Sequence, residues 1–312
     1  MGAKKKERVG TMSKKAIVKR YLPLYLMFLP GAIYLLINNY IPMAGIVVAF
    51  KKYNVRTGIW GSPWAGFSNF KFLFNGNDAW TITRNTILYN VGFIILNTVI
   101  GIIFAIFICD TLNRKLKKIY QSAILFPYLM SAVILGYIVY AFLSNSTGIV
   151  NNTFLGGDGI SWYSSPQYWP FILLFVNTWK GVGYGCLIYI SAINGIDSSL
   201  YEAASLDGAT KWQQITHVTL PFLKPTVITL TLMSIGRIFY SDFGLFYQVP
   251  RNSGLLYSTT NVIDTYVYRG LMEQSNIGMS AAAGFYQSIV GFIIVLAANL
   301  AVRKISPEDA LF

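Results

Sequence analysis

Charge is what this chain has least of. Asp, Glu, Lys and Arg make up 12% of its 312 residues, while 54% are apolar. Soluble domains carry about 25% charged residues, so the shortfall argues against a water-soluble fold. Histidine is almost missing: His217 stands alone, which excludes a histidine-built metal site and leaves no Ser/His/Asp constellation workable in a bilayer. The two cysteines, Cys109 and Cys186, both fall inside apolar runs and read as small buried hydrophobes rather than a disulfide. No G-x-x-x-x-G-K-S/T stretch occurs, so the chain does not bind ATP through a P-loop. With no nucleophile motif either, catalysis by this chain is not expected, and it needs no cofactor of its own.

What is present is a series of long apolar runs, with a mean hydropathy of +0.49. Six are expected to span a membrane, each near the ~20 residues that cross ~30 Å of hydrocarbon. They cover about Leu22–Ile37 (with Pro23 and Pro30 inside), Thr86–Ile108, Ala123–Leu143, Trp169–Ile193, Val227–Val249 and Ala282–Val302. The expected fold class is therefore an all-α integral membrane protein of six transmembrane helices. Residues 1–20 form a basic tail, 21–303 the transmembrane domain, and 304–312 a second tail. Residues 39–84 are mixed and aromatic, which suggests interfacial packing on the outer side.

The net charge of +13 would raise nucleic acid in a soluble protein. Here the basic residues cluster beside the apolar runs, and topology accounts for them. With the N-terminus inside, the inner segments hold sixteen of the 25 Lys and Arg, the outer segments seven, and the spans two. That bias puts both termini in the cytoplasm.

The inner side also receives the polar island Tyr201 to Pro225, YEAASLDGATKWQQITHVTLPFLKP, the heart of a loop over 197–225. Ser199 to Glu202 reads S-x-x-E and Thr210 to Gln213 reads T-x-x-Q, two capping-box patterns. Gly208 lies between them, where a left-handed residue ends a helix. Leu220-Pro221 is expected to end the second helix, because the residue before a proline resists the α region. The result is a capped helical hairpin held between two spans, a form suited to passing motion to a soluble partner.

Glu202-Ala203-Ala204, three residues, Gly208, nine residues, Val218, one residue, Leu220-Pro221 resembles the EAA motif of ABC importer permeases, with Val218 where the family usually has Ile. The resemblance implies a coupling helix that docks on an ATP-binding subunit through Glu202, Ala203, Ala204, Asp207, Gly208, Leu220 and Pro221. Further runs are similar to the LplB-type permeases of the carbohydrate-uptake family: YIPMAGIVVAFKKYN (40–54), GSPWAGFSNF (61–70), FPYLMSAVI (126–134), NTWKGVGYGCLIYISAINGID (177–197) and NVIDTYVYRGL (261–271). They imply the MetI-like fold of a type I importer in a bacterial plasma membrane. They also imply a second homologous permease, two ATP-binding subunits that hold ATP and Mg, an extracellular solute-binding lipoprotein, and oligosaccharide cargo. No nucleic acid partner is implied.

Ionisable groups inside spans are costly and point to function. Lys180 lies in the fourth span; Arg237 and Asp242 lie in the fifth. Together with Trp179, Tyr184, Tyr240 and Tyr247 they are candidates for a polar path, joined by Tyr286 and Gln287. Aromatic faces stack on sugar rings, and charged or amide groups bond hydroxyls. The alternative is a structural Arg237–Asp242 pair. Gly181, Gly183 and Gly185 suggest close helix packing. Competing functions are a stand-alone secondary transporter, which would use these same charges for ion coupling, and a membrane scaffold, which would leave them without a purpose.

Overall fold

The computed structural model describes residues 14–73, 77–156 and 159–305; most of the 1–20 and 304–312 tails lies outside them. The first helix, α1 (Lys14–Leu35), runs on through a wide π turn at Leu36–Tyr40 and a tight 3-10 segment at Ala44–Phe50. The first span therefore covers Tyr21–Phe50, well past the expected end at Ile37. Pro42, which has no N–H to give, follows the π turn directly. The helix absorbs the missing bond by widening one turn. The segment after Phe50 folds back on itself. Lys51 donates to the carbonyls of Ile59 and Trp60, and Asn69 donates to those of Ala49 and Lys51. Phe50 and Phe70 then pack edge to face against Phe285 of the last helix, and Phe67 edge to face against Phe50.

The second span, α2 (Asp78–Asp110), has 33 residues. At ~1.5 Å per residue it is about 50 Å long and outruns the hydrocarbon core. The third expected span is broken. α3 (Arg114–Leu125) and α4 (Ala132–Leu143) meet at an angle of 97°. Pro127 cuts the first helix, and Ser131, extended at ψ 152°, caps the second by accepting from the Ile134 N–H. α5 (Trp169–Asn194) forms as expected and packs along α2.

The largest departure follows the hairpin. α6 (Ser198–Leu206) is followed by α7 (Lys211–Gln214), a π turn at Ile215–Thr219 and α8 (Leu220–Ile235). These last three form one continuous span, Lys211–Ile235. Leu220-Pro221 thus does not end a helix. Pro221 directly follows the π turn's cap at Leu220, and the widened turn accommodates its missing N–H and its ring within the continuous helix. The expected fifth span, Val227–Val249, is accordingly wrong at both ends. The chain leaves the helix at Gly236 and re-forms as the short α9 (Phe243–Gln248). After two further turns come α10 (Ile263–Met272) and α11 (Ile277–Ile305). Five helices are long and apolar enough to cross a membrane, and six if the bent α3–α4 pair counts as one, among the described residues.

The break between α8 and α9 is closed by side chains. The Ser241 N–H donates to Asp264 Oδ2 at 2.7 Å, and Gln287 Nε2 donates to the Phe239 carbonyl at 2.8 Å and to the same carboxylate at 3.1 Å. Thr86 Oγ1 accepts from the Ile263 N–H, Asn85 donates to the Asn261 carbonyl, and the Tyr89 hydroxyl donates to the Thr259 carbonyl. Backbone at membrane depth is stable only when its polar groups find partners within the protein.

The tightest helix contact requires glycine. A Cβ on Gly183 would lie 2.1 Å from the Ile124 carbonyl oxygen and 3.0 Å from Leu125 Cα, whereas one on Gly185 meets only the Tyr189 ring edge at 4.0 Å. Gly183→Val is therefore expected to destabilise the purified protein by roughly 1–3 kcal/mol, and Gly185→Ala to leave it unchanged. Thermal unfolding in detergent reads both. Equal melting temperatures for the two variants would mean that α3 does not lie against α5.

Candidate functional site

Two features stand apart from packing: the hairpin at one end of α5 and α8, and a cavity between α2, α5 and α8. In the hairpin, α6 starts at Asp197, not at Ser199 as the S-x-x-E pattern suggests. Asp197 Oδ1 accepts from the Ser199 N–H at 2.9 Å, and this bond holds its carboxyl below the usual carboxylate range. Glu202 takes no part in the cap and is exposed. α6 ends in a Schellman turn. The Gly208 N–H donates to the Ser205 carbonyl at 3.1 Å and the Ala209 N–H to the Ala204 carbonyl at 2.9 Å. Gly208 adopts φ +78°, with open space where a Cβ would be, so glycine is needed for its backbone and not for packing within this chain.

The second cap forms as the sequence suggests. Thr210 Oγ1 accepts from the Gln213 N–H, and the Gln213 side chain accepts from the Thr210 N–H at 2.7 Å. Two further bonds fasten the hairpin to the spans. Gln214 Nε2 donates to Ser205 Oγ at 2.8 Å, and the Tyr201 and Thr219 hydroxyls share a bond of 2.9 Å. Lys211 pairs with Asp110 at 3.0 Å, but both side chains are exposed, so this pair adds little. The free face is apolar: Leu206 is 89% exposed and Trp212 70%. Ala203, Asp207, Leu220 and Pro221 are exposed too, and Ala204 is half-buried.

The cavity measures about 480 Å³. Of the residues singled out by sequence, Tyr184, Arg237 and Tyr240 come together on its wall. The three amides of Asn90, Asn97 and Asn177 join them. Asn97 Nδ2 donates to Asn177 Oδ1 at 3.0 Å, while Asn97 Oδ1 is buried without a partner. Tyr184 stacks on Tyr128 with ring centres 5.3 Å apart. These three asparagines are not among the residues singled out by sequence; the signal that finds them is a strongly hydrogen-bonding amide inside an apolar run.

The other candidates lie elsewhere. Trp179 is on a different face of α5, in an apolar groove with Phe104, Phe107 and Tyr120. Lys180 is half-buried and lines no described cavity. Asp242 caps α9, accepting from the Leu245 N–H at 3.1 Å. Arg237 and Asp242 form no ion pair; Lys211–Asp110 is the one ion pair among the described residues. Tyr247 packs against Phe243 and Tyr268 and lines a separate cavity with Tyr137 and Arg251. Tyr286 shares a hydrogen bond with Thr83 at 3.0 Å, and Gln287 is buried at the α8–α9 break, so both serve the fold. The VIDTYVYR run is structural as well. Arg269 reaches Asn252 Oδ1 and Asn261 Oδ1 and lies over the Tyr257 ring.

Residues 97–307 match the model of the family described as binding-protein-dependent transport system inner membrane component. Protein LplB of Bacillus subtilis (strain 168) is 31% identical over 95% of this chain and 93% of its own length. The polygalacturonan/rhamnogalacturonan transport system permease protein YteP of the same organism is 32% identical over 97% of this chain and 94% of its own. Among solved structures, a bacterial ABC transporter involved in the import of the acidic polysaccharide alginate has a chain 33% identical, with a TM-score of 0.84 over 93% of this chain and 98% of that one. A structure of a bacterial alginate ABC transporter in complex with an alginate pentasaccharide-bound periplasmic protein matches at 33% identity and a TM-score of 0.83, over 93% and 97% of the two chains. A helical, multi-span chain with this hairpin and these relatives belongs to the family of binding-protein-dependent transport system inner membrane components.

Proposed function

We propose that the chain is the permease subunit of an ATP-driven oligosaccharide importer in a bacterial plasma membrane. In this reading it pairs with a second, homologous permease, two ATP-binding subunits that hold ATP and Mg, and an extracellular solute-binding lipoprotein. One observation carries the reading: the hairpin and the cavity are the two ends of the same helix. α8 begins beside the Tyr201–Thr219 bond and ends with Met233 and Ser234 on the cavity wall, two residues before Arg237, which lines it too. Its 16 residues cover about 24 Å. The names of the relatives support the cargo class, and the family's description supports dependence on a binding protein. A stand-alone secondary transporter has no such support.

The mechanism follows from stiffness. Closure of the ATP-binding pair on ATP would press on α6 and on the exposed Leu206 and Trp212. The bonds Gln214–Ser205 and Tyr201–Thr219 tie α6 to the foot of α8, so the push is delivered as movement of α8 and of the cavity wall it carries. In the outward-facing state the cavity takes sugar from the binding protein, and ATP hydrolysis resets it. Asn90, Asn97 and Asn177 suit sugar hydroxyls, Tyr184 and Tyr240 suit ring faces, and Arg237 adds a cation that pairs with no carboxylate among the described residues. Both termini are assigned to the cytoplasm, on the hairpin's side.

The reading is tested with the co-purified complex in nanodiscs. ATPase activity is expected to rise with oligosaccharide only when the binding protein is present; a rate indifferent to both would refute it. Gly208→Leu is expected to abolish uptake with little change in melting temperature, because a left-handed non-glycine residue costs only about 1–2 kcal/mol while its side chain enters the docking face. Normal uptake by this variant would remove the hairpin from coupling. Tyr201→Phe, which loses one hydroxyl, is expected to keep ATPase activity while uptake per ATP falls. Arg237→Gln is expected to raise the half-saturating sugar concentration about tenfold, equivalent to one lost charge-assisted bond. Uptake assays over a range of sugar concentrations decide this.

A further inference from the structure

On the opposite side of the spans from the hairpin, Arg251 stands between two cavities. One, of about 240 Å³, is lined by Tyr137, Tyr247, Gln248 and Asn252. The other, of about 300 Å³, is lined by Tyr140, Ser144, Asn145 and Ser146. Arg251 lines both. Its guanidinium lies over the Tyr140 ring, 4.1 Å from the centre. Stacking of that kind holds the planar fork in place and leaves its edge N–H groups free for a carboxylate. Among the described residues no ion pair uses Arg251, and the nearby Glu273 carboxylate is taken by the Asn252 amide at 2.9 Å.

The turn that presents Arg251 is strained and firmly braced. Arg251 has φ +53° and Asn252 φ +49°, two consecutive non-glycine residues in the left-handed region. Such strain persists only where surrounding structure holds it, and it gathers at ligand clamps. Here Asn252 Oδ1 accepts from Arg269 Nη1 at 3.0 Å and from the Tyr257 hydroxyl at 3.0 Å. Arg269 is itself buried. Tyr163 closes the other side, donating to the Val249 carbonyl at 3.3 Å and accepting at its own carbonyl from Ser253 Oγ at 3.1 Å. A buried arginine is therefore spent on holding the loop that aims an exposed one.

We propose that Arg251 and the tyrosines around it form an outer subsite for an oligosaccharide bearing carboxylates, with Arg251 selecting acidic over neutral sugar units. The two cavities hold the groups a sugar unit needs: aromatic faces from Tyr137, Tyr140 and Tyr247, amides from Gln248 and Asn145, and hydroxyls from Ser144 and Ser146. The cation distinguishes a uronate from its neutral counterpart. This subsite is separate from the cavity of Asn97 and Arg237 and precedes it on the inward route. The inference rests on the oligosaccharide-import reading.

The test measures direct binding to the full complex in nanodiscs, without the binding protein, by thermophoresis. The probes are fluorescently labelled tetrasaccharides of galacturonate and of mannuronate, each compared with its carboxyl-reduced form. Arg251→Asn is the first variant, since asparagine tolerates the left-handed backbone. It is expected to weaken uronate binding about tenfold and leave the reduced sugars unmoved. Arg251→Lys, with the same backbone demand as the native residue, should fall between. Unchanged uronate binding in Arg251→Asn overturns the proposal, as does an equal loss for acidic and reduced sugars. If the wild-type complex binds uronate at this site but imports none, the subsite stands and the import reading fails.

Discussion

A peptide bond in hydrocarbon must find its hydrogen-bond partner inside the protein, and the rest of this structure depends on how that demand is met. A straight helix meets it alone. This chain interrupts its helices where it needs room or a turn, and each interruption has a remedy nearby. At Pro42 and Pro221 the helix widens into a π turn and continues. At Pro127 it stops, and Ser131 caps a new helix at 97°. Between α8 and α9 it opens fully, and Ser241 and Phe239 are satisfied by Asp264 and Gln287, while Thr86 accepts from the Ile263 N–H at the start of α10. Several of the polar residues buried in the membrane domain are thus structural, which is why Gln287 is absent from the cavity.

The continuity of Lys211–Ile235 has the greatest consequence. Had the helix ended at Leu220-Pro221, the hairpin would have hung from a flexible joint. Instead the hairpin is the foot of a spanning helix. Two hydrogen bonds, Gln214 to Ser205 and Tyr201 to Thr219, keep α6 from sliding against that foot. The Schellman turn at Gly208 keeps the two arms folded together. Rigid transmission over about 24 Å needs a helix of this kind, since a loop would dissipate the displacement.

The polar surfaces divide by chemistry. The inner cavity is rich in amides, with Asn90, Asn97 and Asn177 on one wall and Arg237 and Tyr240 on another. Amides exchange partners easily and suit a path through which hydroxylated cargo must move. The outer cavities are rich in tyrosine and share one braced arginine. A guanidinium fixed on a ring favours selection, because its geometry is set before the ligand arrives.

The sequence by itself determined the class of protein, most of its spans, the position of the hairpin and its two most local details. Those details, the Thr210–Gln213 capping box and the left-handed Gly208, depend on residues within a few positions of one another, so local spacing carries them. Its errors have two sources. Ser199 lost the helix cap to Asp197 within the same turn, Pro221 was absorbed by the π turn beside it and the 97° bend was made by Pro127 and Ser131, but the opening after Ile235 depended on groups far along the chain. Thr86 and Asp264 reach the broken segments only in the folded protein. Likewise Tyr184 and Arg237 line one cavity while Trp179, five residues before Tyr184, lines another. Hydropathy records that a segment enters the membrane; which side of a helix faces a cavity, and which break can be tolerated, is settled by packing against helices that the local pattern does not contain.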